Sequence, residues 1–233
     1  CTAPYFLAAL LSACGGGGGG ETPAPTPTPK VTLAAMIDSF GRIVPESDFG
    51  GDDGGVSGGD GTAGDGAGIP NASVRIVDAV GRSIAGVTNA DGYFRLRIDG
   101  FTPPFVASVT RANGQVLYSP SVTPVKVRGF VTINITGLTD KLASDVAIAA
   151  GRTGASQLTP SILAANTTTL QAAKVSLNTQ LAAILQDAGL NAATFDPVTL
   201  AFKPDLTGHD KVLESVVVTV NASGATVVVP KYS

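Results

Sequence analysis

Between residues 68 and 136 the sequence is built from short segments in which apolar and polar residues alternate. The clearest segment is YFRLRID, where Phe94, Leu96 and Ile98 alternate with two arginines and an aspartate. A period of two places the apolar side chains on one face of a strand and the polar ones on the other. Short strands separated by turn signals about every eight to twelve residues predict an antiparallel β-sandwich, which we place at residues 31–137.

The turn signals support this division into strands. Asn-Ala-Asp-Gly at residues 89–92 and Ala-Asn-Gly at residues 112–114 each separate two apolar runs, and Asn-Gly is a strong hairpin signal. The segments ASVRIVD and GFVTINITGL predict further strands, and residues 31–44 carry β-type residues that predict a first strand.

A family resemblance adds to this pattern. The stretch GIPNASVRIVDAVGRSIAGVTNADGYFRLRIDGFTPPFVASV resembles the carboxypeptidase regulatory-like domain, a small transthyretin-like and Ig-like sandwich. The matching residues are Gly68, Ala72, Val74, Gly81, Thr88, Asp91, Gly92, Tyr93 and Phe94, while Asn89 stands where the family usually has Asp. The resemblance covers residues 68–136 and implies turn glycines and core side chains without a catalytic role. With FTPPFV and INITGLTDKLASDVA included, the chain further resembles lipoproteins of Gram-negative bacteria.

The last third of the chain, residues 138–233, changes to a helical pattern. TDKLASDVAIAAG predicts a helix that ends at Gly151, and a longer helix is predicted from Thr159 as N-cap and Pro160 to Gly189. Its apolar stripe is interpreted as core packed on the sheet; it consists of Leu163, Leu170, Ala173, Leu177, Leu181, Ile184 and Leu185. A short helix is predicted in the turn-rich segment that follows, and VVVTVNASGATVVVP predicts a terminal hairpin around residues 222–224. The predicted fold class is therefore α+β.

Residues 45–68 are rich in Gly and Asp and contain few apolar side chains. Because such a segment offers little apolar surface to offset its chain entropy, we predict a mobile, solvated acidic loop inserted in the sheet. Its carboxylates suggest calcium binding as an alternative, although the segment lacks the closing Glu of an EF-hand loop. The candidate calcium ligands are Asp48, Asp52, Asp53, Asp60 and Asp65.

The N-terminal segment FLAALLSACGGGGGG predicts where the protein resides. An apolar run ending in Leu11, Ser12, Ala13 and Cys14 resembles a bacterial lipobox, in which cleavage before the cysteine leaves a thiol that carries the lipid. Residues 1–13 are then part of a lipoprotein signal peptide, and the Gly and Thr-Pro residues 14–30 form a tether. The chain begins with neither Met nor a basic segment, so we expect an N-terminally incomplete sequence. With Gly15 after the cysteine, the chain resembles lipoproteins that are passed on to the outer membrane.

Composition excludes several classes of function. The net charge is −3 and no basic run is present, which argues against nucleic-acid binding. The sequence also lacks the apolar stretch of about twenty residues that a transmembrane helix needs. The two cysteines both precede the glycine run, so the predicted sandwich has no disulfide. His209 is the one histidine and is interpreted as a surface or helix-capping residue. An isopeptide cross-link between Lys126 and Asn134 is conceivable, but both are interpreted as exposed residues.

No nucleophile motif, phosphate-binding loop or metal-ligand spacing appears in the sequence. We therefore predict a non-enzymatic, lipid-anchored envelope protein whose sandwich serves adhesion, scaffolding or binding, with no cofactor other than the calcium considered above. The alternative is a carbohydrate- or calcium-binding accessory module of an envelope hydrolase system, and a hydrolase with unrecognised acids is a third hypothesis. The expected partners are the membrane through the lipid and an envelope protein or polysaccharide, at the outer membrane of a bacterial cell.

Overall fold

Strands occupy the first part of the described chain, and helices followed by one hairpin occupy the rest. The structure is a computed structural model, and it describes the strands at residues 35–37 and 43–45 and residues 57–126, 129–221 and 226–231. All of these fall within one compact unit of the chain. The lipobox residues and three of the candidate calcium ligands lie outside the described residues; these are Leu11, Ser12, Ala13, Cys14, Asp48, Asp52 and Asp53. The fold is mixed α+β, as predicted.

The strands are short, except for one of nine residues. They are β1 (Ala35–Ile37), β2 (Ile43–Pro45), β3 (Ser57–Asp65), β4 (Ala67–Gly68), β5 (Ser73–Val77), β6 (Ser83–Val87), β7 (Tyr93–Arg97), β8 (Phe105–Thr110), β9 (Val116–Ser121), β10 (Gly129–Thr132), β11 (Ile135–Thr136), β12 (Val216–Val220) and β13 (Thr226–Pro230). The helices are α1 (Gly137–Ala149), α2 (Pro160–Ala165), α3 (Thr167–Gln180), α4 (Ala182–Asp187) and α5 (Gly208–Ser215), with a short 3-10 helix at Ala155–Gln157.

One sheet is antiparallel throughout and has four strands in the order β6-β5-β8-β9. The predicted alternation of β5 is confirmed, because Val74 and Ile76 are fully buried while Ser73 and Arg75 are exposed. The predicted Asn-Gly hairpin is also confirmed: β8 and β9 pair antiparallel around Gly114, whose φ of 83° is the left-handed conformation that glycine adopts without strain.

The second sheet is centred on β3, and here the sequence prediction is wrong. Residues 57–65, predicted as part of a mobile acidic loop, form a strand that pairs antiparallel with β7 and parallel with β10 and β11. The sheet is therefore mixed rather than antiparallel, because an alternating pattern carries no information on strand direction. The glycines of β3 supply little apolar surface themselves, but they allow larger neighbours to cover the strand. Gly59 lies under Ile76 and Ile98, and Gly58 lies under the Phe130 ring.

At the turn formed by residues 89–92 the chain crosses from the first sheet to the second. Its turn chemistry is as predicted, since the Asn89 Oδ1 accepts hydrogen bonds from the backbone N–H groups of Asp91 and Tyr93 at 2.9 Å each. The strands that it joins nevertheless have different partners: β6 pairs with β5, and β7 pairs with β3. Leu96 of β7 packs over Gly86 of β6, so the two sheets are in contact here.

The first helix begins at a reciprocal capping box. The Thr139 N–H donates to Thr136 Oγ1 at 3.3 Å and the Thr136 N–H donates to Thr139 Oγ1 at 2.9 Å, which satisfies two backbone donors at the helix start. Leu142 and Val146 of this helix are fully buried and belong to the same hydrophobic cluster as the strand residues. The core thus extends from the strands into the helical part of the chain.

The long helix predicted from Pro160 to Gly189 is divided into α2, α3 and α4. Its predicted start is confirmed, because Thr159 Oγ1 accepts from the Ile162 N–H. The first interruption lies at Asn166, whose Nδ2 donates to the Ile162 carbonyl at 2.8 Å and so competes with the backbone ladder. The leucines of the stripe are core, as predicted, since they are at most 2% exposed, while Ala173 and Ile184 are half-buried. The sequence predicts that the stripe packs on the sheet, but α3 packs mainly on α1. The leucines are Leu163, Leu170, Leu177, Leu181 and Leu185.

The predicted terminal hairpin is confirmed, with β12 and β13 paired antiparallel. Its Thr226 carbonyl accepts from Lys141 Nζ at 3.1 Å and its Thr226 Oγ1 bonds Ser144, so the hairpin lies against α1. None of the helices in the described part of the chain combines the length and the apolar character needed to cross a bilayer.

Asp140 in the first turn of α1 makes stability depend on pH. Burial, with the nearby Asp65 carboxylate, raises the pKa of Asp140 from 3.8 to about 6, although its Oδ1 accepts from the Tyr118 N–H at 2.9 Å and Arg111 opposes the shift. The folded state then holds the proton more tightly than the unfolded state, so stability falls as pH rises through this window. The difference corresponds to at most about 3 kcal/mol.

We therefore expect Asp140→Asn, which keeps an acceptor for Tyr118, to raise the free energy of unfolding at pH 7.5 by about 1–3 kcal/mol. The gain should fall to about 0.3 kcal/mol near pH 3.5, where the folded parent is protonated and the unfolded parent is mostly protonated. Urea unfolding at the two pH values measures it. Asp187→Asn is the control, because that side chain is 73% exposed and pairs with Lys211 at the surface. An equal gain at both pH values would contradict the explanation.

Candidate functional site

Two cavities share lining residues of the segment 202–205, and together they form what we term the loop cleft. The smaller has a volume of about 200 Å³ and the larger about 320 Å³. Phe202, Lys203 and Asp205 line both cavities. The smaller is completed by Thr62, Asp91, Tyr93 and Pro204, and the larger by Leu190, Leu200, Ala201, Thr207, Gly208 and His209. The cleft therefore brings the β3–β7 edge next to the loop that precedes α5.

The side chain of Asn134, which lies between β10 and β11, hydrogen-bonds both to the sheet and to the loop that precedes α5. Its side chain is fully buried, and its Nδ2 donates to the carbonyls of Pro197 at 3.2 Å and Leu200 at 2.8 Å. Its Oδ1 accepts from the Thr62 N–H of β3 at 3.2 Å. Asn134 is thus buried rather than exposed as predicted, and its amide is engaged by backbone groups rather than by the Lys126 proposed as a cross-linking partner.

A hydrogen bond to its backbone and aromatic packing against its ring position Phe202. Thr62 Oγ1 donates to the Phe202 carbonyl at 3.0 Å, which fixes the backbone of the loop against β3. The Phe202 ring packs on His209 with 4.4 Å between ring centroids, and Phe195 meets the same imidazole edge-on at 5.1 Å. The ring of Phe202 is half-buried, so one side of it is supported by the protein and part of it faces the cleft.

His209 is a core residue, not the surface or capping residue that the sequence predicts. It is 2% exposed, and burial lowers its pKa to about 4 even though the Leu200 carbonyl and Asp196 act in the opposite direction. Its Nδ1 lies 3.2 Å from the Leu200 carbonyl, which assigns the proton to Nδ1 and the lone pair to Nε2. The imidazole is therefore neutral at neutral pH and serves to support Phe202 and Leu200.

The rim of the cleft is a strained turn. Leu206 has a φ of 62°, a conformation uncommon for a residue with a side chain, and its side chain is 66% exposed. The Leu206 N–H donates to the Oδ2 of the buried Asp210 at 2.7 Å, and Asp205 Oδ1 accepts from both the N–H and the hydroxyl of Thr207. Burial raises the pKa of Asp210. These bonds hold an exposed leucine in a strained position, which is often a property of binding segments.

Asp60 and Asp65 are the two candidate calcium ligands within the described residues, and each bonds to neighbouring side chains. Asp60 is 8% exposed and accepts from the Tyr93 hydroxyl at 3.0 Å and from Thr132 Oγ1 at 3.1 Å. Asp65 pairs with Arg111 at 2.7 Å. Asp60 and Asp65 are five residues apart on β3, so their side chains leave opposite faces of the strand and their Cα atoms are about 17 Å apart. Among the described residues no group of three or more His, Cys, Asp or Glu side chains is placed to hold a metal ion.

Two other surface depressions in the described part of the chain contain no aromatic ring. One lies beside Val175 and Asn178 on α3, and the other lies between Asp65 and Arg111. The loop cleft combines aromatic rings with carboxylates and an ammonium group, which is the mixture found in sites for small polar ligands. Sequence reasoning missed Phe202, Lys203 and Asp205, because they lie in a turn-rich segment without a motif.

No family model matches the chain, and neither the curated proteins nor the solved structures contain a match to it. The resemblance to the carboxypeptidase regulatory-like domain therefore stays a prediction from the residues that carry it.

Proposed function

We propose that this protein is a non-catalytic binding protein of the bacterial envelope, anchored to the outer membrane by a lipid on Cys14. The observation that carries the binding role is the loop cleft: its aromatic floor is positioned by Asn134, Thr62 and His209, while the exposed side chains of Asp91, Lys203 and Asp205 surround it. A site whose groups are already positioned by hydrogen bonds loses little conformational entropy when it binds.

The sandwich assignment belongs to the same proposal. Residues that match the carboxypeptidase regulatory-like pattern converge in space although they are distant in sequence. Thr88 Oγ1 accepts from the Ala72 N–H at 2.9 Å and donates to the Ile69 carbonyl at 2.6 Å. Gly68 packs directly on the Asp91 carbonyl, where a Cβ would lie 2.1 Å from the oxygen. These are the turn and core roles that the resemblance implies, and they support a transthyretin-like or Ig-like sandwich.

The non-catalytic assignment draws support from what the buried ionisable groups do. His209 is neutral and bonds the Leu200 carbonyl, Asp60 accepts from Tyr93 and Thr132, and the Asp210 carboxylate holds the Leu206 N–H. Each of these contacts fixes a strand or a loop. In a general acid or base the group would instead have to reach the proton that it transfers.

The anchoring proposal predicts that Cys14 carries the lipid. In cells that express the full-length gene and receive a palmitate analogue, we expect label on the parent protein and none on Cys14→Ser, because only the thiol accepts the diacylglycerol. Gel fluorescence after coupling of a dye to the analogue measures it. Cys1→Ser is the matched control and should be labelled like the parent. Equal labelling of Cys14→Ser and the parent would contradict anchoring at this residue.

A second function is an accessory module that binds carbohydrate beside an envelope hydrolase. The observation that favours it is the half-buried Phe202 ring next to Asp91 and Asp205, since aromatic surface bordered by hydrogen-bonding groups suits a sugar ring. Co-purification of a hydrolase with the tagged full-length protein would favour this function over a scaffold. Recovery of the tagged protein without any hydrolase would favour the scaffold.

A further inference from the structure

We propose that the loop cleft binds a neutral saccharide, with one sugar ring lying on Phe202 and Pro204. This inference rests on the proposed binding function and names its ligand class. The platform consists of the half-buried Phe202 ring and the exposed Pro204, with Tyr93 buried at the base of the smaller cavity. An apolar surface of this type fits the C–H face of a pyranose, which hydroxyl groups surround on its edge.

The polar groups around the platform include both hydrogen-bond acceptors and a hydrogen-bond donor. Asp91 and Asp205 offer carboxylate oxygens as acceptors, and Lys203 offers an ammonium group as donor. A hydroxyl group donates and accepts, so a sugar can use both. Two carboxylates beside one ammonium group give the cleft a net negative charge, which disfavours an anionic ligand such as a uronate. The combination of acceptors and a donor suits a ligand with several hydroxyls.

The size of the cleft extends the inference from one ring to a chain. The smaller cavity of about 200 Å³ and the larger of about 320 Å³ share Phe202, Lys203 and Asp205. The inference therefore extends a longer ligand from the platform over this segment into the second cavity. Together the two cavities reach the range of about 300–1,000 Å³ that is typical of small-molecule sites. Leu190 and Leu200 line the second cavity, where they offer apolar surface to a second ring.

Hydrogen bonds within the protein position the platform before any ligand arrives. The Phe202 carbonyl is bonded by Thr62, and the Leu200 carbonyl receives hydrogen bonds from Asn134 and His209. Asp205 is oriented by Thr207, whose N–H and hydroxyl both bond its Oδ1. Because these groups are already fixed, binding a sugar loses little conformational entropy on the protein side.

The test is a titration of the full chain, in a non-glycosidic detergent, with chitotetraose, cellotetraose and maltotetraose, followed by isothermal calorimetry. We expect at least one of these neutral tetrasaccharides to bind, and Phe202→Ala to weaken it about tenfold through loss of the stacking contact. Phe101→Ala is the matched control, because that half-buried ring packs under Arg82 and does not line the cleft. It should bind like the parent.

Asp91→Asn is the second variant, because it changes an exposed side chain and leaves the platform intact, so loss of the fold is not expected. We expect Asp91→Asn to weaken binding severalfold, because one of the two acceptor oxygens of the carboxylate is replaced by an NH₂ group, which donates. No binding of any of the three tetrasaccharides would overturn the inference, as would affinity unchanged in both Phe202→Ala and Asp91→Asn. Preference for tetragalacturonate or tetralysine over the neutral probes would also overturn it. These outcomes are independent of lipid labelling at Cys14, so the two proposals fail separately.

Discussion

Replacing Gly61 by alanine is expected to lower the free energy of unfolding by about 3–5 kcal/mol, as urea unfolding followed by circular dichroism will measure. Gly61 lies in the middle of β3, where a Cβ would stand 2.3 Å from the carbonyl oxygen and 2.7 Å from the carbonyl carbon of Ile133. These are backbone atoms, and they are fixed in turn by the Ile133 N–H, which donates to the Asp60 carbonyl at 2.7 Å. A methyl group can be accommodated only if the two segments separate.

Gly154→Ala is the matched control for this change. Nothing lies within 4 Å of the Cβ that it would add, and its φ of 165° is extended backbone that any residue adopts. We expect its stability to stay within about 0.5 kcal/mol of the parent. If Gly61→Ala unfolds at the same urea concentration as Gly154→Ala, the close approach of β3 to Ile133 is not present in solution.

Replacing Asn134 by alanine is the second change with a large expected effect, a loss of about 3–4 kcal/mol. The substitution leaves the Thr62 N–H and the Pro197 carbonyl without the partners that they have in the folded state, and the Leu200 carbonyl keeps only His209. Each buried polar group left unpaired costs about 1–3 kcal/mol. Urea unfolding measures the loss.

Two further variants separate the hydrogen bonds from the volume of the side chain. Asn134→Asp keeps an acceptor for Thr62 but places a carboxylate oxygen against the Pro197 and Leu200 carbonyls, so it should be at least as destabilising as the alanine. Asn113→Ala removes an exposed turn asparagine whose Oδ1 accepts from the Gln115 N–H, and it should cost less than about 1 kcal/mol. A stable Asn134→Asp variant would show that the loop is not held by this amide.

Both changes connect the stability of the sheet with the loop cleft. Gly61 allows the Ile133–Asn134 backbone to approach β3, and Asn134 then reaches the loop carbonyls that set the position of Phe202. A variant that loosens either contact without unfolding the protein should therefore also weaken ligand binding at the cleft. The platform thus depends on a glycine that is distant from it in sequence.

Local signals in the sequence were sufficient for many elements. The alternation in Val74 and Ile76 predicts the buried face of β5, Asn113-Gly114 predicts a hairpin, and Thr159 before Pro160 predicts the start of α2. All three are confirmed. Each depends on interactions within a few residues, such as a side-chain cap, a left-handed turn glycine or the period of a strand, so the information lies in the local sequence.

The candidate site could not be predicted in this way. Phe202, Lys203 and Asp205 carry no motif, and their arrangement depends on contacts with Thr62, Asn134 and His209, which lie elsewhere in the chain. His209 also looks like a surface residue in the sequence, because its neighbours Asp210 and Lys211 are charged. Its burial follows from the two phenylalanine rings that pack on it, one of them contributed by a turn without a hydrophobic period.

The sequence by itself determined the α+β class, the positions of most strands, the start of α2 and the terminal hairpin. Only the tertiary structure decided that the glycine-rich residues 57–65 form the centre of a sheet and that β10 and β11 run parallel to them. It also decided that the chain changes sheets at residues 89–92. The physical reason is the same in each case: the backbone of β3 is stabilised by hydrogen bonds and apolar side chains from distant segments, and its own residues reveal nothing about those partners.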